Sequence, residues 1–177
     1  MRTKVKLALI ATAAAVVATF GVWTAQAAAS SAGTAADAQP SLVEDFAYPD
    51  AATIQANYGV VLISGDGHIL FADCRTPPAG NIGVLQVFAV GDAGSTKQIC
   101  FKVLATAGRL DLKVPAVFEI VGDGQIKGAG HKVKADLTTD AGVHSTVDVD
   151  PSGSTQVGVG SNPSNAPTTL LQLTVTP

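Results

Sequence analysis

Turn chemistry interrupts this chain at short intervals from Gly65 to Pro163, and that spacing limits what it can fold into more than any other feature. The interruptions are Gly65-Asp66-Gly67, Thr76-Pro77-Pro78-Ala79-Gly80, Gly91-Asp92-Ala93-Gly94, Asp123-Gly124, Asp140-Ala141-Gly142, Asp150-Pro151-Ser152-Gly153 and Ser161-Asn162-Pro163. Between them lie apolar runs too short for ordinary helices. They predict strands at 59–64, 68–74, 82–90, 97–104, 110–114, 117–121, 132–137, 143–149, 156–159 and 170–176. Several alternate cleanly. Lys132, Lys134 and Asp136 oppose Val133, Ala135 and Leu137, and Leu171, Leu173 and Val175 oppose Gln172, Thr174 and Thr176. Each such strand buries one face. About ten short strands separated by turns predict an all-β fold, an antiparallel β-sandwich.

One helix precedes the strands. Asp50, after Pro49, is placed to cap a helix over 51–57, and Gly59 is placed to end it in a left-handed conformation. Ile54 and Tyr58 lie four apart on one face. Two turns of helix are marginal alone, so the segment has to dock on the strands. Gly65-Asp66-Gly67 and Asp123-Gly124 read as hairpin turns. They belong to a repeated pattern, Ile-x-Gly-Asp-Gly-x-Ile, at 63–69 and 120–126. Two independent Asp-Gly hairpins explain it more simply than a duplicated half-domain.

The start of the chain has another purpose. Arg2, Lys4 and Lys6 precede an apolar run from Leu7 to Val22, and Ala25-Gln26-Ala27 follows. These are the three parts of a secretory signal peptide, with cleavage after Ala27. Residues 28–45 are mostly Ala, Ser, Gly, Thr and Gln and read as a flexible lead-in. The folded domain is then 46–177. Loss of 1–27 leaves 8 Lys+Arg against 14 Asp+Glu and moves the net charge from −3 to −6. It also removes Trp23, the only tryptophan. The charge excludes the basic surface that nucleic-acid binding needs. The missing Trp weighs against a flat stacking site for carbohydrate.

Tyr48-Pro49, Gly65-Asp66-Gly67-His68-Ile69, Asp73-Cys74, Cys100-Phe101-Lys102 and Val117-Phe118 together resemble small, uncharacterised secreted proteins of actinobacteria. The resemblance spans about Tyr48 to Thr176. It implies secretion and a disulfide, and it brings no activity, cofactor or catalytic residue.

Cys74 and Cys100 are the only cysteines, and in an exported chain they default to a structural disulfide. Residue patterns for chemistry are sparse. G-x-S-x-G and H-E-x-x-H are both absent, and His68, His131 and His144 are too dispersed to predict a shared zinc. His68 is the most interesting of the three, because Asp66 and Asp73 lie close to it across the expected first hairpin. Asp148, Asp150, Ser152 and Gly153 imitate the opening of a calcium loop, but Val159 stands where a bidentate Glu is needed. A turn stiffened by Pro151 is the simpler reading.

The sequence thus points to a secreted, monomeric, non-enzymatic binding domain, with no cofactor, no metal and no membrane attachment after cleavage. Its partner would be an extracellular protein or polymer. The alternative is an inhibitor of secreted serine proteases, acting through the loop after Cys74 with Arg75, Pro77 and Pro78. The leader reading makes a direct prediction. Intact-mass measurement on culture supernatant is expected to give a Trp-free chain beginning at Ala28; a retained 1–27 would overturn export by this route.

Overall fold

The computed structural model describes residues 46–177. The proposed signal peptide and lead-in lie outside the described residues. The described residues form a short helix and nine strands: α1 (Ala51–Tyr58), β1 (Val61–Gly65), β2 (Ile69–Ala72), β3 (Leu85–Val90), β4 (Thr96–Val103), β5 (Gly108–Val121), β6 (Lys132–Thr139), β7 (His144–Val149), β8 (Ser154–Gln156) and β9 (Thr168–Thr176). Every strand pairing is antiparallel, so the fold is all-β with one short helix, as the turn spacing predicts.

The expected strands at 110–114 and 117–121 are one strand. Pro115 has no N–H to give to a ladder, and the sequence reading ended a strand there. In the structure β5 bends instead. Ala116 takes a left-handed conformation, φ 55°, and the pairing with β9 slips between Val114 and Val117. Before the bend β5 pairs with β1 and β9; after it, β9 keeps only the pair of Val117 with Thr168, and β3 and β8 become the neighbours. A strand that changes partners at a bulge makes a corner between layers. All nine strands belong to one sheet, which the bend divides into two layers; one contains β1, the first half of β5, β9, β6 and β7. The other contains β2, β4, β3, the second half of β5 and β8. This arrangement is compatible with a sandwich. Leu110, Leu112, Leu137 and Leu173 of the first group share one apolar core with Leu85, Val87, Phe101 and Ile120 of the second.

Two further expectations need correction. Gly65-Asp66-Gly67 and Asp123-Gly124 are not hairpin turns, because β1 does not pair with β2, nor β5 with β6. Both loops carry the chain between layers. The hairpins are at 91–95, between β3 and β4, and at 140–143, between β6 and β7. Equivalent residues of the Ile-x-Gly-Asp-Gly-x-Ile pattern also sit in opposite surroundings: Ile120 and Ile69 are buried, while their counterparts Ile63 and Ile126 are exposed. A duplication would keep those environments alike. The strand expected at 156–159 stops at Gln156 and gives way to a 3-10 turn over 158–160.

At α1 the expected C-cap is present: Gly59 has φ 63° and its N–H donates to the Gln55 carbonyl. Asp50 is not a side-chain cap; it occupies a left-handed conformation and its carboxylate bonds no helix N–H. The helix is held by docking, with Ile54 against the core and Tyr58 packed on Phe71, ring centroids 4.8 Å apart. Cys74 and Cys100 form the expected disulfide, with Cα atoms 5.1 Å apart, and it ties the end of β2 to β4.

The bend in β5 is testable. Ala tolerates a positive φ at modest cost, whereas a β-branched side chain there is strongly disfavoured. Ala116→Val is expected to lower the unfolding free energy by about 2 kcal/mol or more, and Ala116→Gly to be neutral or stabilising. Urea unfolding of both variants checks it; equal stability would show that the bend is not set at Ala116.

Candidate functional site

Arg75 lies where the protease-inhibitor reading needs it, outside the sheets, with its side chain 91% exposed. Its conformation is less suited to that task. Residues 73–76 close into a turn in which the Thr76 N–H and hydroxyl both donate to the Asp73 carbonyl. The Arg75 main-chain N–H donates to the Asp73 carboxylate at 2.8 Å, and the guanidinium folds back on the same group. The main-chain bond first, and the guanidinium second, hold the Asp73 carboxyl below its usual range. Pro77 and Pro78 follow outside any strand.

The three histidines are apart in function as in sequence. His68 is half exposed at the layer crossing, with Nδ1 3.6 Å from the Asp66 carboxylate. Asp73 does not approach it, because no hairpin folds it back and Asp73 is engaged by Arg75 at the far end of β2. Asp66 serves the main chain, accepting the N–H of His68 at 3.0 Å and of Arg109 at 2.8 Å. His144 is exposed on β7. His131 has a partner that the sequence reading missed: Asp123, fully buried, accepts its main-chain N–H at 2.8 Å and lies 2.6 Å from Nδ1. Among the described residues no hydroxyl or thiol bonds the other ring nitrogen. The pair pins the loop between β5 and β6.

The calcium-loop imitation is also divided. Asp148 bonds the Lys134 ammonium, and Asp150 turns back to accept the Ser152 N–H. Among the described residues no three His, Cys, Asp or Glu side chains gather as metal ligands would.

The feature that sequence reasoning missed is a groove of about 480 Å³ between the β6–β7 hairpin and residues 156–168. Leu137, Val147 and Val157 supply its apolar floor, Val143 is 62% exposed at one end, and Ser145, Ser161 and Asn165 offer hydroxyl and amide groups. No ionisable side chain lines it. The far wall is built rigidly. Asn165 Nδ2 donates to the Gly158 carbonyl at 3.3 Å and to Ser161 Oγ at 3.1 Å, and the Asn165 N–H donates to the Asn162 carbonyl. Gly160 lies so close to β5 that a Cβ there would collide with the Phe118 carbonyl. Behind the wall, buried Thr168 donates its hydroxyl to the Val117 carbonyl at 2.9 Å, beside the bend in β5. In the sequence Ser161-Asn162-Pro163 reads only as a turn; the hydrogen bonds that stiffen it have no sequence signal.

The chain matches no protein-family model and no curated protein sequence.

Away from the groove, Asp111 gathers the side-chain donors of the β1–β5–β9 face. Burial pushes its carboxyl up, but Gln172 at 2.6 Å, Ser64 at 2.8 Å and Arg109 at 3.0 Å together outweigh it and hold it below the usual range. A carboxylate held low stabilises the fold above its unfolded value near pH 4. That stabilisation is lost as pH falls through the lower folded value. Asp111→Asn is therefore expected to flatten the drop in Tm between about pH 4 and pH 2. Thermal melts across that window check it, and an unchanged slope would show that Asp111 contributes nothing to acid stability.

Proposed function

We propose that this chain is a secreted, non-enzymatic binding domain whose ligand site is the groove between β7 and residues 156–168. The observation that carries the reading is the groove's construction, an apolar floor with hydroxyl and amide groups on a wall stiffened before any ligand arrives. Preformed walls reduce the ordering cost of binding. The absence of ionisable side chains in the lining selects an uncharged segment, since a buried ligand charge would lose water and find no partner. The partner is thus an uncharged stretch of an extracellular protein or polymer. Export is supported by the Cys74–Cys100 bridge and the leader pattern. Among the described residues no helix is long and apolar enough to cross a membrane.

The inhibitor reading retains one favourable observation, an exposed Arg75 beside the disulfide. Its turn conformation weighs against it, because a loop that enters a protease cleft has to be extended there.

The two readings part on one experiment. Ala166 is exposed on the groove wall, and Ala166→Arg puts a cation into the neutral lining. Immobilised protein incubated with the native culture medium is expected to retain a partner that Ala166→Arg loses by about tenfold or more, a cost of ~1.4 kcal/mol, while Arg75→Ala retains it. Loss with Arg75→Ala, together with inhibition of a secreted serine protease by the unaltered chain, would overturn the groove in favour of the loop.

A further inference from the structure

We propose that two copies of this chain pair through β7, edge to edge, as a weak and reversible two-fold dimer. The inference uses the outer edge of β7 and does not depend on what the groove holds. Four strands end their layers, and three of those edges are blunted. Beside β1, the Phe46 carbonyl accepts the Gly65 N–H, and the Tyr48 N–H donates to the Ile63 carbonyl. Beside β2, the Phe71 N–H donates to the Tyr48 hydroxyl at 2.6 Å. β8 is only three residues long. β7 has six residues, no Lys, Arg or Pro, and β6 as its only partner among the described strands. An edge without such protection is a template for another strand.

The direction of its main-chain groups follows from the ladder. The Thr139 N–H donates to the Val143 carbonyl at 3.0 Å, in register with Thr138 opposite His144. Pointing alternates along an antiparallel strand, so Ser145 and Val147 turn their main chain to β6, and His144, Thr146 and Asp148 turn theirs outward. A second β7 laid antiparallel with Thr146 on the two-fold axis sets His144 opposite Asp148 of the other copy, twice. Every outward N–H and carbonyl then meets its complement. The side chains on that face agree with the register. His144 faces a carboxylate across the new pair, and Asp148, 80% exposed, keeps Lys134 on its β6 side. Asp136, also on β6, is taken by the Thr146 hydroxyl and stays a strand away from His144. An imidazole N–H donor set directly across a strand pair from a carboxylate is favourable, and two like charges there are not. The axis stands perpendicular to the sheet, so both grooves open on the same side. A six-residue strand pair makes a small interface, which fits a weak association and a chain that is monomeric when dilute.

Sedimentation equilibrium of the purified protein is the test. A monomer–dimer equilibrium with a dissociation constant on the order of 100 µM is expected. Thr146→Pro removes an outward N–H while sparing the bonds to β6, and is expected to abolish the dimer. If that variant fails to fold, His144→Asp, which places like charges opposite Asp148, is expected to weaken pairing about tenfold, and His144→Lys to preserve or tighten it. A protein that stays monomeric to about 1 mM overturns the proposal. So does a dimer whose affinity neither Thr146→Pro nor His144→Asp changes.

Discussion

The bend at Pro115–Ala116 is the constraint on which the rest of the structure depends. A straight β5 of fourteen residues would keep the same two neighbours along its length. The bend gives it four: β1 and β9 before, β3 and β8 after. Both layers therefore take their register from one strand, and an error at the corner would misplace core residues in each. Proline suits the position because it has no N–H to leave unpaired where the ladder breaks. Thr168 then closes the gap, its buried hydroxyl donating to the Val117 carbonyl just past the bend. The strand that starts there, β9, has a second irregularity at Leu171, where its pairing slips on both sides, between Asp111 and Val114 of β5 and between Asp136 and Leu137 of β6.

Carboxylates do in the crossovers what hairpin hydrogen bonds do elsewhere. A chain leaving one layer for another exposes main-chain N–H groups that no neighbouring strand will accept. Asp66 takes two of them, at His68 and Arg109, and so fixes the entry of β5 against the exit of β1. Asp123 takes the N–H and ring nitrogen of His131 and is buried completely in doing so. The glycines beside it are required by contact, because a Cβ at Gly122 would strike main chain of Asp150 and Pro151, and one at Gly124 main chain of Ala129 and Pro151. Glycine–aspartate–glycine is thus a crossover clasp in this protein. Its two copies perform the same task in different settings, without any duplication of the fold around them.

That distinction explains what was legible in the sequence. Strand identity was, because period-two alternation in segments such as 132–137 and 170–176 records which face is buried. The disulfide was too, since two cysteines allow one pairing. Sheet assignment was not: an Asp-Gly pair signals a reversal in direction, and reversal occurs equally in a hairpin and in a crossing between layers. The bend was read as an end because Pro115 breaks a ladder in both cases. Asp123 and His131 are eight residues apart with no periodic relation, so their pairing depends on a loop path that composition does not encode. The groove was hidden for a similar reason. Its polar wall carries the same residues as an ordinary solvent loop, and only the bonds among Gly158, Ser161 and Asn165 separate the two.

The groove and the exposed edge of β7 have a common origin in how the layers end. On the β1 side the chain's own approach, through Phe46 and Tyr48, covers the margin of the layer before the helix begins. On the β7 side nothing in the described chain returns to do this, because β8 leaves directly to join the second half of β5. The core layer therefore stops at Val147 and Leu137 with apolar surface facing the 156–168 wall rather than another strand. An apolar floor beside unpaired main chain is unfavourable to leave open to water. The same margin thus has an apolar groove on its inner face and an unpaired strand on its outer edge. The proposed binding and the proposed pairing therefore call on different parts of β7, the first on the side chains of Ser145 and Val147 and the second on the outward main chain of His144, Thr146 and Asp148.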